Sequence, residues 1–266
     1  MPLGSSRNVV RMVSYDRTGP IVPAWSSAYR KGDSHGLAAS NDVRDQSSAL
    51  EIYTARSREY LWFVKSVLYP QGLRAYFRSR RFEPKLRILD AGCGTGICTL
   101  ALLDALGEQG MGPATLDGFD LTPTMLEQFR QTVAERGMTD IRLTQADVLA
   151  LDRLPDDWRD YDLVISSGML EHLPRERLPD ALSSLRQRMR DTGSMVVFIS
   201  RRNATMQWLI GKWWNANLYS RRELSAAFES AGLTVTFRRF PSPYWHLRAW
   251  GLVVEARVAS ASTHLG

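Results

Sequence analysis

The stretch LRILDAGCGTGICTLALL, Leu86 to Leu103, decides how the rest of the chain reads. An apolar run (Leu86, Ile88, Leu89) ends in Asp90, glycines stand at every second position (Gly92, Gly94, Gly96), and an apolar helical pattern follows. Physically this is a buried parallel strand, a tight turn and a helix. Glycine belongs where the backbone takes positive φ or where a ligand comes too close for a Cβ. The helix N-terminus behind the turn offers unpaired N–H groups and a partial positive charge. The loop, with Thr95 between its last two glycines, therefore reads as a small-ligand cradle, the plain alternative being a generic tight turn. Spacing separates ligand classes. The dinucleotide fingerprint G-x-G-x-x-G puts its third glycine three places after the second. Here that place is Ile97, and the glycine comes one position early.

Asp90 through Gly96 resembles the first motif of the class I S-adenosylmethionine-dependent methyltransferases, an apolar strand followed by D/E-x-G-x-G-x-G. Later segments follow in the order of that family. TLDGFDLTPTMLEQFRQTV places Asp120 at the end of a second strand, 24 residues after Gly96. An acid there can accept from both ribose hydroxyls, as in dinucleotide folds. Asp120 can equally serve the N-terminus of the helix that Thr122 and Pro123 begin, and the two roles are compatible. Asp120, Thr122, Pro123, Met125 and Leu126 reproduce the family's D-x-S/T-P-x-M-L, with Leu121 in the variable place.

A third strand, IRLTQADVL, ends at Asp147. The resemblance implies that Asp147 accepts from the adenine amino group and that the Val148 backbone meets the ring; a solvated surface Asp is the other reading. The fourth strand, in YDLVISSGMLEHL, runs from Tyr161 to about Ser167 and is apolar on both faces, as a central parallel strand demands. The resemblance sets Ser166, Ser167 and Gly168 beside the sulfonium, with Met169 on the acceptor side and Glu171-His172 at the pocket mouth. His172 is a candidate general base for a hydroxyl or amine; the competing reading has it capping the loop and packing on the next helix. The implied cofactor is S-adenosyl-L-methionine, leaving as S-adenosyl-L-homocysteine. Its expected contacts are Asp90, Gly92, Gly94, Thr95, Gly96, Asp120, Leu121, Met125, Asp147, Val148, Ser166 and Ser167. No metal is expected.

The fold class that follows is α/β: a Rossmann-like, doubly wound, seven-stranded sheet with a C-terminal antiparallel hairpin, plus N-terminal helices. A methyltransferase domain is expected over 83–259, a helical N-terminal extension over 46–82, and a short tail over 260–266. Residues 1–45 are rich in Gly, Pro, Ser and Asn with little periodicity, yet they carry Tyr15, Trp25 and Tyr29. That segment is expected to fold over the cofactor as a lid, with Tyr15 and Tyr29 as acceptor-side residues. From Gln46 to about Tyr69 apolar residues recur at steps of three and four, one helical stripe. Pro70 interrupts it, and a second helix is expected from Leu73 to Arg81. Further on come a helix near Arg175–Arg190, a turn at Thr192-Gly193 and a fifth strand, SMVVFIS. RRNATMQWLIGKWWNANLYS, 201–220, is read as an insertion over the acceptor, with Trp208 and Trp213 as candidate contacts, although such a cluster is more often core than pocket. Ser220 and Glu223 form a capping box for SRRELSAAFESAG, which Gly232 stops. LTVTFRRF and a run around Ala249–Val258 supply the last two strands.

Composition bounds the rest. With 44% hydrophobic and 23% charged residues the chain can bury a real core. No apolar run reaches about 18 residues, no secretory h-region opens the chain, and Cys93 and Cys98 have neither metal nor disulfide spacing, so a reduced, cytoplasmic setting is expected. Between Pro174 and Arg248 there are 13 Lys/Arg against 5 Asp/Glu. Such a face suits nucleic acid, anionic lipid or an acidic small molecule, or is simply a solvated surface. Ser166-Ser167-Gly168-Met169 replaces the N/D-P-P-Y/F run of base amino-methylases, and no Pro-Cys nucleophile is present. The reading is methyl transfer to a small apolar or amphipathic acceptor such as a lipid, quinone or specialised metabolite. Nucleic acid is not an obligate partner, peripheral membrane contact is an open option, and the chain is a monomer or homodimer. The rivals are a protein or RNA methylase using the basic face and a non-catalytic cofactor-binding regulatory subunit.

Overall fold

The computed structural model of the chain describes residues 66–203 and 216–259. The expectations for Tyr15, Tyr29, Trp208 and Trp213, for the 1–45 segment, for most of the 201–220 insertion and for the 260–266 tail lie outside the described residues.

Seven strands form one sheet: β1 (Arg87–Ala91), β2 (Thr115–Asp120), β3 (Ile141–Gln145), β4 (Tyr161–Ser167), β5 (Met189–Ser200), β6 (Leu233–Arg238) and β7 (Gly251–Val258). Their order is β3-β2-β1-β4-β5-β7-β6, parallel through β5, with β7 antiparallel to both β5 and β6. Strand order reverses between β1 and β4, and in open α/β sheets a ligand crevice opens beyond the carboxyl ends of the strands at that reversal.

The pleat sorts the core into two layers. Ile88, Leu163, Ile165, Val196, Phe198 and Val253 face α1 (Tyr69–Arg78) and α2 (Ile97–Glu108). Leu89, Ala91, Val164, Val197 and Val254 face α4 (Leu178–Arg186) and α5 (Arg221–Ser230). Between these helices in sequence, α3 (Pro123–Glu135) packs Leu126, Phe129 and Val133 around Cys93. The capping box of α5 is present, with Ser220 N donating to Glu223 Oε2 at 2.7 Å and Glu223 N to Ser220 Oγ at 3.3 Å.

Several element boundaries differ from the sequence reading. Pro70 does not break a helix ahead of Leu73; it sits in the first turn of α1, where a missing N–H costs nothing. Leu68, just before it, is left-handed at φ 58°, which is where the chain turns. The stretch 69–82 packs against the sheet: Tyr76 and Phe77 stack edge-on against Phe198, and Tyr76 Oη donates to Glu255 Oε1 at 2.5 Å. The helix expected over 175–190 is shorter, a 3₁₀ turn at Arg175–Arg177 and then α4. Thr192-Gly193 is no turn before a strand; it lies within β5, where the pairing with β4 jumps from Tyr161–Met189 to Leu163–Ser194. β3 stops at Gln145, two residues short of Asp147. The last strand begins at Gly251, after the short helix α6 (Leu247–Trp250).

Candidate active site

The turn after β1 is fastened to β2 by two amides, Gly92 N and Cys93 N, which both donate to the Phe119 carbonyl at 2.8 and 2.9 Å. Gly92 has φ +71°, and a Cβ there would meet Met169 Cγ at 2.3 Å, so the loop and the β4 end touch only because that residue is glycine. Asp120, the last residue of β2, then clamps the loop from across the crevice. Its Oδ2 accepts from Gly94 N and its Oδ1 from Thr122 N, each at 2.8 Å. Burial raises the Asp120 pKa, and these amide bonds counter the rise. Asp147 is held in the same style, its Oδ1 accepting from Leu149 N at 2.9 Å.

These groups border a cleft of about 1040 Å³, counting space open to solvent. Gly92, Gly94, Thr95, Asp120, Leu121, Met125, Asp147, Val148, Ser167, Met169 and His172 all line it. Three expected cofactor contacts lie elsewhere. Asp90 is buried beneath the loop, accepting from Thr99 Oγ1, with its Oδ1 lacking a partner and its pKa pushed up to about 7 by burial. Ser166 turns its hydroxyl away, donating to the Ala91 carbonyl at 2.8 Å, and so ties β4 to β1. Gly96 leaves room for a neighbour and not for a ligand: a Cβ would stand 2.1 Å from the Phe129 ring. The common cause is that alternate strand residues and the far side of the loop point into the layers below the cleft.

At the other end of the cleft the polar groups are neutral. The Tyr69 hydroxyl lies 2.8 Å from Ser167 Oγ. His172 closes a 3₁₀ turn, its N–H donating to the Met169 carbonyl at 3.0 Å, and desolvation lowers its pKa to about 4. Its buried neighbour Glu171 is structural, accepting from Ser200 N at 2.7 Å and from Ser200 Oγ at 2.9 Å. Asn217 fastens the same turn, its N–H donating to the Glu171 carbonyl and its Nδ2 to the Leu173 carbonyl, both at 2.7 Å. Cys93 and Cys98 also face the cleft, and burial pushes both thiols up, so they stay protonated.

Sequence reasoning missed Tyr69 and Leu173 as lining residues. Tyr69 was legible only as the approximate end of the helical pattern, since nothing local marks where the start of α1 docks. Among the described lining residues there are two carboxylates and no Lys or Arg. That balance opposes a pyrophosphate. It suits a ligand with hydroxyl and amino donors and a positive charge, and a backbone cradle at Gly94, where an added Cβ would have nothing nearer than Met125 Sδ at 3.7 Å, leaves space for it.

Comparison with known proteins agrees with this geometry. Residues 88–193 match the family model described as a methyltransferase domain. Aklanonic acid methyltransferase DauC of Streptomyces sp. (strain C5) is 33% identical over 116 residues, covering 43% of this chain and 47% of that protein. The highly reducing polyketide synthase easB of Emericella nidulans is 27% identical over 181 residues, 65% of this chain and 7% of that protein. The chain thus spans less than half the length of either curated relative. The solved structure of the mitomycin 7-O-methyltransferase MmcR shares the fold with a TM-score of 0.62 at 16% identity, covering 85% of this chain and 68% of that one. Among the described residues, no helix is long and apolar enough to cross a membrane.

Proposed function

We propose that this chain, whose residues 88–193 match a methyltransferase-domain family model, uses S-adenosyl-L-methionine to methylate a small apolar or amphipathic acceptor. The observation that carries the reading is the Gly92–Gly94 cradle faced by Asp120 and Asp147, without a cation in the described lining. When bound, S-adenosyl-L-methionine supplies a methyl group on a sulfonium, already activated toward a nucleophile. The chain's residues bind and orient. Asp120 would accept from the ribose hydroxyls and Asp147 from the adenine amino group, while the backbone at Ser167 and Gly168 would meet the methionine portion. Met169 and Leu173 exclude water from the acceptor side. Orientation of this kind can contribute about 7–11 kcal/mol in favourable cases. His172 is neutral through the physiological range, so it can accept a hydrogen bond from an acceptor, but its pKa near 4 makes it a weak base. An acceptor that gives up its proton readily fits best.

Relatives named for aklanonic acid and demethylmenaquinone support a small-molecule acceptor, such as a polyketide-like or quinone-like compound. The rival reading, a protein or RNA methylase using the basic face, is weakened by how that face is spent: Arg175 and Arg202 pair with Glu223, Arg177 with Asp180, Arg186 with Asp191 and Arg190 with Asp162. A soluble extract incubated with the chain and isotopically labelled methyl donor, followed by mass spectrometry, tests the proposal. Label in a low-molecular-weight compound is expected; label confined to protein or RNA would overturn the acceptor class.

A further inference from the structure

Tyr69 has no part in the function described so far, although it lines the cleft. Its hydroxyl meets Ser167 Oγ at 2.8 Å, so the start of α1 and the end of β4 join inside the crevice. The residue is also held rigidly from behind. Its ring leans on Phe240 with centroids 6.3 Å apart. Gly72, one turn on, lets α1 seat against α6, because a Cβ there would stand 2.2 Å from Leu247 Cδ1. His246 Nε2 lies 2.9 Å from the Val67 carbonyl oxygen and pins the chain just before the helix.

The two ends of the cleft differ in charge. Asp120 and Asp147 occupy the β2–β3 end and repel an anion, whereas the β4 end presents the hydroxyls of Tyr69 and Ser167. The family's cofactor carries a carboxylate beyond its sulfonium, and no Lys or Arg stands among the described lining residues to meet it. Hydroxyl donors can bind a carboxylate without placing a further positive charge beside a sulfonium. We propose that Tyr69 and Ser167 form a hydroxyl pair that holds the carboxylate of the cofactor's amino-acid end, making Tyr69 a binding and positioning residue. This inference rests on the S-adenosylmethionine reading above.

Calorimetric titration of the full chain with two probes tests it: S-adenosylhomocysteine, and 5′-methylthioadenosine, which keeps the nucleoside and thioether but lacks the amino-acid end. Tyr69→Phe should weaken S-adenosylhomocysteine about tenfold, the scale of one hydrogen bond to a charged group, and leave methylthioadenosine within about twofold. Ser167→Ala should act in the same direction, and the double variant should lose less than the product of the single losses, because the hydroxyls act as a unit. Unchanged S-adenosylhomocysteine affinity in Tyr69→Phe overturns the proposal, as does an equal loss for both probes, which would mark a merely structural role. A wild-type chain that binds neither probe would overturn the cofactor reading itself.

Discussion

Asp120 ends β2 and Glu171 follows β4, the two strands that flank β1; both carboxylates accept backbone N–H groups, yet they serve opposite sides of the cleft in different ways. Asp120 faces the cleft while clamping the glycine loop, so the same oxygens that shape the loop also border the ligand space. Glu171 is turned inward and spends both oxygens on Ser200. The β1–β2–β3 side is therefore a site made of backbone and fixed anions. The β4–β5 side is a scaffold that carries neutral side chains, Tyr69, Ser167, Met169 and His172, to the opening. On the function proposed above, the loop-and-acid side would hold the cofactor and the wall of neutral side chains would face the acceptor.

Gly96→Val should have the largest effect. It combines φ +84° with a contact 2.1 Å from the Phe129 ring, and should cost about 2–5 kcal/mol of stability in chemical denaturation. A loss under about 1 kcal/mol would mean that the loop is not pinned to α3 as described. Asp120→Ala comes next: S-adenosylhomocysteine affinity should fall about ten- to a hundredfold by calorimetry, since one change removes both a ligand acceptor and the clamp on Gly94. Glu171→Ala should act on stability instead, destabilising the fold by about 1–2 kcal/mol through the unpaired Ser200 amide, with affinity for S-adenosylhomocysteine nearly intact. If Glu171→Ala and Asp120→Ala weaken that ligand equally, the contrast between the two sides fails.

The smallest effect is a pH dependence. The folded-state pKa of His172 is depressed from 6.5 to about 4, so its stabilising contribution is complete above pH 6.5 and is lost as pH falls toward 4. Relative to wild type, His172→Gln should gain about 1 kcal/mol of stability at pH 5.5 compared with pH 8, read from denaturation midpoints. An identical pH profile for both proteins would show that the imidazole is not desolvated.

Much of the β1–β2–β3 side was legible because its demands are local. Positive φ needs glycine, and strand, turn and helix follow one another within the quoted stretch. Even there, one chain alone could not tell which glycine meets the ligand space and which meets a neighbouring side chain. Gly92 and Gly94 face the cleft, while Gly96 faces Phe129. Asp90 and Ser166 sit in matching motif positions, yet the pleat directs one under the loop and the other toward Ala91.

The succession of strands along the chain, the capping box of α5 and the acids that follow the glycine loop could be read from residue order alone, because each rests on near-neighbour backbone conformation and hydrophobic period. Packing in three dimensions was needed to bring Tyr69 to Ser167, to spend Glu171 on Ser200, and to leave the cleft's described lining with anions and no cations. Those facts depend on side chains brought together from distant parts of the chain by contact between layers, and the spacing of residues along one strand or helix carries no record of what the opposing layer will present.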